Sequence, residues 1–285
     1  MSAPSIFSQL PVELVRDVFE LAAHTHRPTA CALSLVCSHS RAWIEPVLYR
    51  TVVLESARAL RAFSSTLALK PASFDRIHHL GIVAPGPFPS IHDVLSACAG
   101  VSSLACGFSL ASYAKQYPTS TPAFAAREQH LLGQSCRDGW DDAFLSAPAT
   151  HLRIHLGPDN WDELSSARLR PLSHLTHLAV IFPVTAHAPP PESIYSMLLT
   201  LLDDLPLHVL LVQALGGARA APLIEHLERE AQDRGEPRLV AEGAPLSAVR
   251  QWEDASRGGL GVWERADERV ASRRRADALS RENPV

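Results

Sequence analysis

Short apolar segments with β propensity recur along this chain at intervals close to one strand-turn-helix unit, and this recurrence limits the fold more than any other feature. They read as strands at Thr51-Val52-Val53-Leu54, Leu80-Gly81-Ile82-Val83, Ser103-Leu104-Ala105-Cys106 and His151 to Leu156, then His177 to Phe182, Leu207 to Val212 and Arg238 to Ala241. Each run is rich in apolar residues and too short for a helix. Leu80 to Leu104 is 24 residues, Leu104 to Leu152 is 48, Leu152 to Leu178 is 26, Leu178 to Val209 is 31 and Val209 to Leu239 is 30. The doubled interval leaves room for a degenerate unit near Leu131-Leu132.

Helical stretches fall between the strands, at Ile91 to Ala99, Leu164 to Leu169, Ser193 to Leu202 and Ala221 to Gln232. In the last, Leu223, Leu227 and Ala231 share one face. Ser56 is placed to cap a helix whose apolar stripe is Leu60, Phe63 and Leu67. A strand, a turn and a helix in each unit suits parallel strands, which need a crossover of this length. It also falls at the long end of the leucine-rich-repeat range, although no unit shows that repeat's Asn or Cys ladder. The expectation is an α/β fold: an irregular, mostly parallel sheet over residues 51–262, leucine-rich-repeat-like, with helices on at least one face. Pro118 to Ala126 and Thr185 to Glu192 read as loops, and residues 263–285 as a C-terminal helix with a polar, Arg-rich tail.

Residues 1–50 follow a different pattern. Leu10-Pro11-Val12-Glu13-Leu14 opens a helix, with Pro11 suited to its first position and Glu13 to the positive end of its dipole. Leu14, Val18, Leu21 and Ala22 form one stripe, and Val15 and Phe19 a second beside it. One stripe is enough to fold a short helix onto its neighbours, so the other is extra core or a surface for a partner. Pro28 and Pro46 punctuate the segment into three short helices.

Leu10, Pro11, Glu13, Leu14, Val18 and Phe19, followed by Leu33, Leu35, Val36 and Cys37, resemble the F-box, the helical segment that docks substrate receptors on the S-phase-kinase-associated adaptor of SCF-type ubiquitin ligases. The family places a Trp three residues after its Val-Cys pair; here that position is Ser40, and Trp43 follows three residues later. Arg27 to Val36 and Trp43 to Leu54 look like the short F-box-like proteins of mushroom-forming fungi, in which the box leads into irregular leucine-rich-like repeats. Gln251-Trp252-Glu253 loosely matches a late signature of that group. The resemblance implies a non-enzymatic substrate-recognition subunit. Leu10, Pro11, Leu14, Val18, Phe19, Leu35, Val36 and Trp43 would bind the adaptor, and the repeats would present a target protein for ubiquitination. An alternative is an interaction module outside any ligase, whose N-terminal helices only cap the repeats.

Composition narrows the remaining classes. A hydrophobic fraction of 46% with 20% charged residues suits a packed core, and a net charge of -4 lacks the basic footprint of a nucleic-acid binder. The most apolar stretch, Met197 to Leu215, is broken by Asp203, Asp204 and His208 and is not a membrane span. With no basic segment leading into an apolar run at the start, a secretory signal is not expected, and a cytoplasmic or nuclear setting is. The five cysteines contain no Cys-x-x-Cys and read as reduced, largely buried small hydrophobes.

Enzyme-like patterns are sparse. Gly107-Phe108-Ser109-Leu110-Ala111 resembles the nucleophile elbow of an α/β-hydrolase, with Asp203 and His226 following in the right order. Its last residue is Ala instead of Gly, and no Gly-rich oxyanion loop precedes it, so a strand-end turn is the preferred reading. His151 and His155 share one face of a strand and are spaced to share a metal, but no acidic or Cys partner completes a set. We read the 14 histidines as structural or surface residues and expect neither a metal nor a cofactor. Arg273-Arg274-Arg275, with Arg265 and Arg269, reads as an exposed charged helix. Trp140 and Trp161, each flanked by acidic residues, suit partner contact or packing anchors equally.

Overall fold

The computed structural model describes residues 10–69, 76–118, 124–139, 142–157, 160–185 and 190–282. Three helices come first, α1 (Val12–Thr25), α2 (Arg27–Ser34) and α3 (Ser38–Arg50). Pro11 is the residue preceding α1, Pro28 stands in the first turn of α2, and Pro46 lies inside α3 instead of ending it. Strands and helices then alternate: β1 (Thr51–Leu54), α4 (Ala57–Leu69), β2 (His79–Ile82), α5 (Phe88–Ala97), β3 (Ser103–Cys106), α6 (Leu110–Gln116) and β4 (Glu128–Cys136). They continue through β5 (His151–Leu156), α7 (Ser166–Leu169), β6 (His177–Pro183), α8 (Pro191–Asp204), β7 (Val209–Leu215), α9 (Ala221–Asp233) and β8 (Leu239–Gly243). The chain ends in α10 (Ala248–Ser256) and α11 (Val262–Glu282). Parts of the two expected loops, residues 119–123 and 186–189, lie outside the described residues.

The eight strands of the described residues form one parallel sheet in sequential order, β1 to β8. Because the order never reverses, every crossover returns on the same face, as handedness requires of consecutive parallel strands. Strand alternation then gives each residue row a fixed side. Val52, Leu80, Leu104, Gln129, Leu152, Leu178, Leu210 and Leu239 pair in register across the full width. The next row on that side is Leu54, Ile82, Cys106, Leu131, Ile154, Val180, Val212 and Ala241, and these rows join the inner faces of α4 to α9 in one core.

The doubled interval resolves here. Gln129 stands 25 residues after Leu104 and 23 before Leu152, in a place where six of the other seven strands put a leucine. It is fully buried and satisfied: its Nε2 donates to the Phe144 carbonyl at 2.8 Å and its Oε1 accepts from the Ser146 N–H at 2.9 Å. A buried amide bonded at both ends substitutes for apolar packing in that one position.

The other face of the sheet differs in chemistry. Its rows contain His79, Ser103, Glu128, His151 and His177, and then Gly81, Ala105, His130 and Arg153. It is covered by α10 and α11, which add Trp252, Val262, Trp263, Ala266 and Val270 to two smaller apolar clusters. The sequence predicts helices on at least one face; the structure has them on both. Cys98, Cys106 and Cys136 are buried as expected, whereas Cys31 and Cys37 are exposed on the N-terminal helices. Among the described residues no helix is long and apolar enough to cross a membrane.

Candidate functional site

The N-terminal helices have a core of their own and an apolar surface that nothing among the described residues covers. Ala23, Ala30 and Ile44 are buried at their centre, with Phe19, Leu33, Val47 and Leu48 packed around them. Phe19 meets Trp43 edge-on, ring centroids 6.3 Å apart, a favoured aromatic geometry. Of the two stripes on α1, the second, through Val15 and Phe19, therefore turns inward. The first turns outward: Leu14 is 50% exposed, Val18 49% and Leu21 68%. Leu35 and Val36, at the turn between α2 and α3, are 75% and 65% exposed, and Leu10, Pro11 and Val12 are also exposed. Isolated exposed leucines are ordinary, but a run of them on one helix face with apolar neighbours on the next turn is the signature of a contact surface.

Six of the eight residues that the resemblance assigns to adaptor binding thus lie on the surface: Leu10, Pro11, Leu14, Val18, Leu35 and Val36. Phe19 and Trp43 are brought together beneath it and are half-buried. Ser40, at the position where the family has a Trp, is buried and closes a reciprocal cap on α3. Its N–H donates to Cys37 Sγ at 3.4 Å and its Oγ accepts from the Cys37 N–H at 3.0 Å. The same Ser40 contacts hold the Cys37 thiol below its ordinary value. Arg41 Nε donates to the Ser34 carbonyl at 3.3 Å and fixes the turn that presents Leu35 and Val36.

The hydrolase-like residues are not assembled. Ser109 Oγ accepts from the Ser112 N–H at 3.2 Å and so caps α6. His226 lies on α9, which follows β7, four strands from β3, and strand spacing alone makes that separation about 19 Å. Trp161 is buried, its ring stacked on Phe182 at 3.9 Å, which makes it a packing anchor. Trp140 lies outside the described residues.

On the covered face of the sheet, His151 and His155 do point the same way, but His151 stacks on His177 of the next strand, centroids 4.1 Å apart. Burial and the neighbouring His177 pull the His151 imidazole down to about 4. Arg153 is fully buried. Its Nη2 donates to Gln213 Oε1, and Gln213 passes the chain on to Glu242 at 2.7 Å. Burial lowers its guanidinium to about 10.

The Arg-rich C-terminal helix is not simply an exposed charged helix. Arg269 donates to the Ala241 carbonyl at 3.0 Å and to Glu228 at 3.1 Å, and Arg273 donates to the Leu239 carbonyl and to Glu228. Glu228 Oε1 in turn accepts the Ala241 N–H at 2.6 Å. These groups occupy the free edge of β8, the last strand. Nothing in composition or local pattern links Glu228 to this role, because the contact is set by how α9 and α11 flank one strand.

Comparison of the chain with protein-family models found no match, and neither did comparison with curated proteins or with solved structures.

Proposed function

We propose that this chain is the substrate-recognition subunit of an SCF-type ubiquitin ligase, docking the S-phase-kinase-associated adaptor through its N-terminal helices and a target protein through the strand-helix array. The observation that carries the reading is the outward stripe of α1, Leu14, Val18 and Leu21, together with Leu35 and Val36. Each of the five still has about half or more of its surface open, so a partner that covers them gains apolar burial at every one. In this reading α4 to α9 form irregular leucine-rich-like repeats, and the protein itself performs no chemistry.

The test is co-expression with a fungal adaptor and size-exclusion chromatography of the wild type beside a Leu14→Asp/Leu35→Asp double variant. Both residues are exposed, so the variant keeps its fold, whereas a charge at Phe19 would disrupt the Phe19–Trp43 contact. The expected result is a one-to-one complex that the double variant fails to form. Separate elution of folded wild type and adaptor would sink the reading.

One observation favours a second reading, an interaction module outside any ligase. Helix α3 runs into β1 without an intervening residue, and Ala23, Ala30 and Ile44, with Phe19 and Val47 against them, form a core among the helices that lead into it. An end cap needs no more than this. Separate elution would leave this reading standing.

A further inference from the structure

The sheet carries two unequal interiors. The larger, between the strand rows and α4 to α9, contains no residue of α10 or α11. Those two helices make separate, smaller clusters on the second face, and the chain reaches them through residues 244–247 after β8. They are held there by Trp252, Trp263 and the arginines at the edge of β8. Lifting the pair would leave the strands and α4 to α9 packed as they are. A unit joined in this way can open below the free energy of global unfolding.

The covered face is a poor permanent interior. Seven buried side-chain nitrogen or oxygen atoms among the described residues lack a hydrogen-bond partner. Five belong to this face or its cover: His79 Nδ1, His130 Nδ1, Arg153 Nε, Arg153 Nη1 and Gln251 Oε1. They are sealed from solvent while the helices are down, so each favours a form in which water reaches it. Arg153 weighs most. Its side chain is fully buried, it bonds the neutral Gln213, and Glu242 is reached only through that amide. A buried cation without a direct counter-charge is strongly unfavourable, and Arg153 regains water only when the cover lifts.

His151 and His177 lie under the same cover, stacked with centroids 4.1 Å apart, and Trp263 of α11 meets both rings edge-on. The titratable groups facing the stack are Glu128 and His130 of β4, His208 just before β7 and Asp267 of α11. Glu128 is already bonded to His130 and Trp263, and Asp267, 3.1 Å from His177 Nε2, leaves with α11. Charge on both stacked rings would place like charges side by side, away from water. We propose that α10 and α11 form a cover that opens as a unit from the folded sheet, and that protonation of this histidine stack releases it. Burial and His177 hold His151 down to about 4, against about 6.5 in an open chain. The open form therefore takes up protons first as the pH falls below about 6.5. Between pH 7 and pH 5, His151 alone shifts the balance about 20-fold toward the open form. Opening uncovers Arg153, Glu242 and the histidines, a face that the closed form withholds from any partner. The device uses none of the N-terminal surface residues and does not rest on the ligase reading.

Hydrogen exchange of the full chain, read by mass spectrometry at pH 7 and pH 5 and corrected for intrinsic rates, tests it. Residues 262–270 should be at least ~10-fold less protected than β6 and α8 at both pH values. Their protection should fall by about 20-fold or more on acidification. Equal protection of α11, β6 and α8 would mean that the cover leaves only with global unfolding, which overturns the proposal. His151→Asn should shrink the acid response of α11 by about tenfold or more, and an unchanged response in that folded protein overturns it too. Should that variant misfold, Arg153→Met/Gln213→Met decides at pH 7. It removes the buried cation together with the amide it bonds, so α11 protection should rise at least ~10-fold. No rise would show that Arg153 does not strain the closed cover, and the proposal fails.

Discussion

Replacing Gly81 by alanine should destabilise this protein, and replacing Trp252 as well should reverse the sign. The indole of Trp252 lies flat on β2: a Cβ built on Gly81 would meet Cζ3 at 2.7 Å and Cη2 at 3.1 Å. Trp252 is also held from its other end, where Nε1 donates to Ser103 Oγ at 2.8 Å. It cannot slide away without losing that bond, so the clash is relieved only by lifting α10. Overpacking of this kind costs about 1–3 kcal/mol. Trp252→Ala alone removes a side chain that is only 2% exposed and should cost about 3–5 kcal/mol. In that background the space above residue 81 is open, and Ala is preferred to Gly within a strand by about 0.5–1 kcal/mol. Gly81→Ala then becomes stabilising. The coupling energy of the cycle is the difference of the two effects, about 1.5–4 kcal/mol. Urea unfolding of the four proteins, followed by circular dichroism, measures it. Additive effects within about 0.5 kcal/mol would refute the claim that Trp252 and Gly81 are in contact, and with it the placement of α10 on this face.

The edge of β8 offers a different test: Glu228→Ala leaves the Ala241 N–H without its partner and takes one of several partners from Arg269 and Arg273, so we expect self-association with rising concentration, seen by light scattering. A variant that stays monomeric and as stable as wild type would remove that edge role. Gln129→Leu should destabilise by about 1–3 kcal/mol despite completing the leucine row, because the Phe144 carbonyl and Ser146 N–H lose their partners in the core; a neutral or stabilising result in urea unfolding would contradict this. Stability should fall with pH across the histidine window. Folding lowers the values of His79, His130, His151 and His155, chiefly by burial, so the unfolded chain binds more protons once pH drops below about 6.5. For His151 the loss runs from there down to about 4. Glu128 extends it below about 4.5, where the unfolded carboxylate protonates first. Urea midpoints that stay constant from pH 7 to 4.5 would show these rings are not buried neutral.

Much of the sheet was legible because parallel strands with one helix-covered face repeat a fixed apolar row. Leu80, Leu104, Leu152, Leu178 and Leu239 all stand in that row. In β7 the row residue is Leu210, not Val209, which points to the opposite face. The unit at β4 was expected near Leu131-Leu132, and its row position was hidden because a bonded glutamine had replaced the leucine. On α1 both stripes were visible in the sequence, but which one faces inward depends on where Trp43 lies, a tertiary fact. The location of α10 and α11 was not legible at all. The face that they cover is polar and histidine-rich from β2 to β5, so no hydrophobic pattern announces its burial there, whereas from β6 to β8 it is lined by Ala179, Val209, Leu211 and Val240.

The span of those two C-terminal helices also sets a length. Trp252 is seated on β2 and β3, Trp263 reaches Glu128 on β4 and the histidines of β5 and β6, and Arg269 and Arg273 end on β8. One more strand would widen the sheet by about 4.8 Å, close to three residues of helical rise. Three residues are also about 300° of helical rotation, enough to turn Arg273 away from the edge while Trp263 stays in place. Insertion of a unit between β4 and β8 therefore has to be matched by a change in α11. A duplicated or deleted unit without it would leave the last strand bare, so the closing helices act as a gauge that counts this sheet at eight strands.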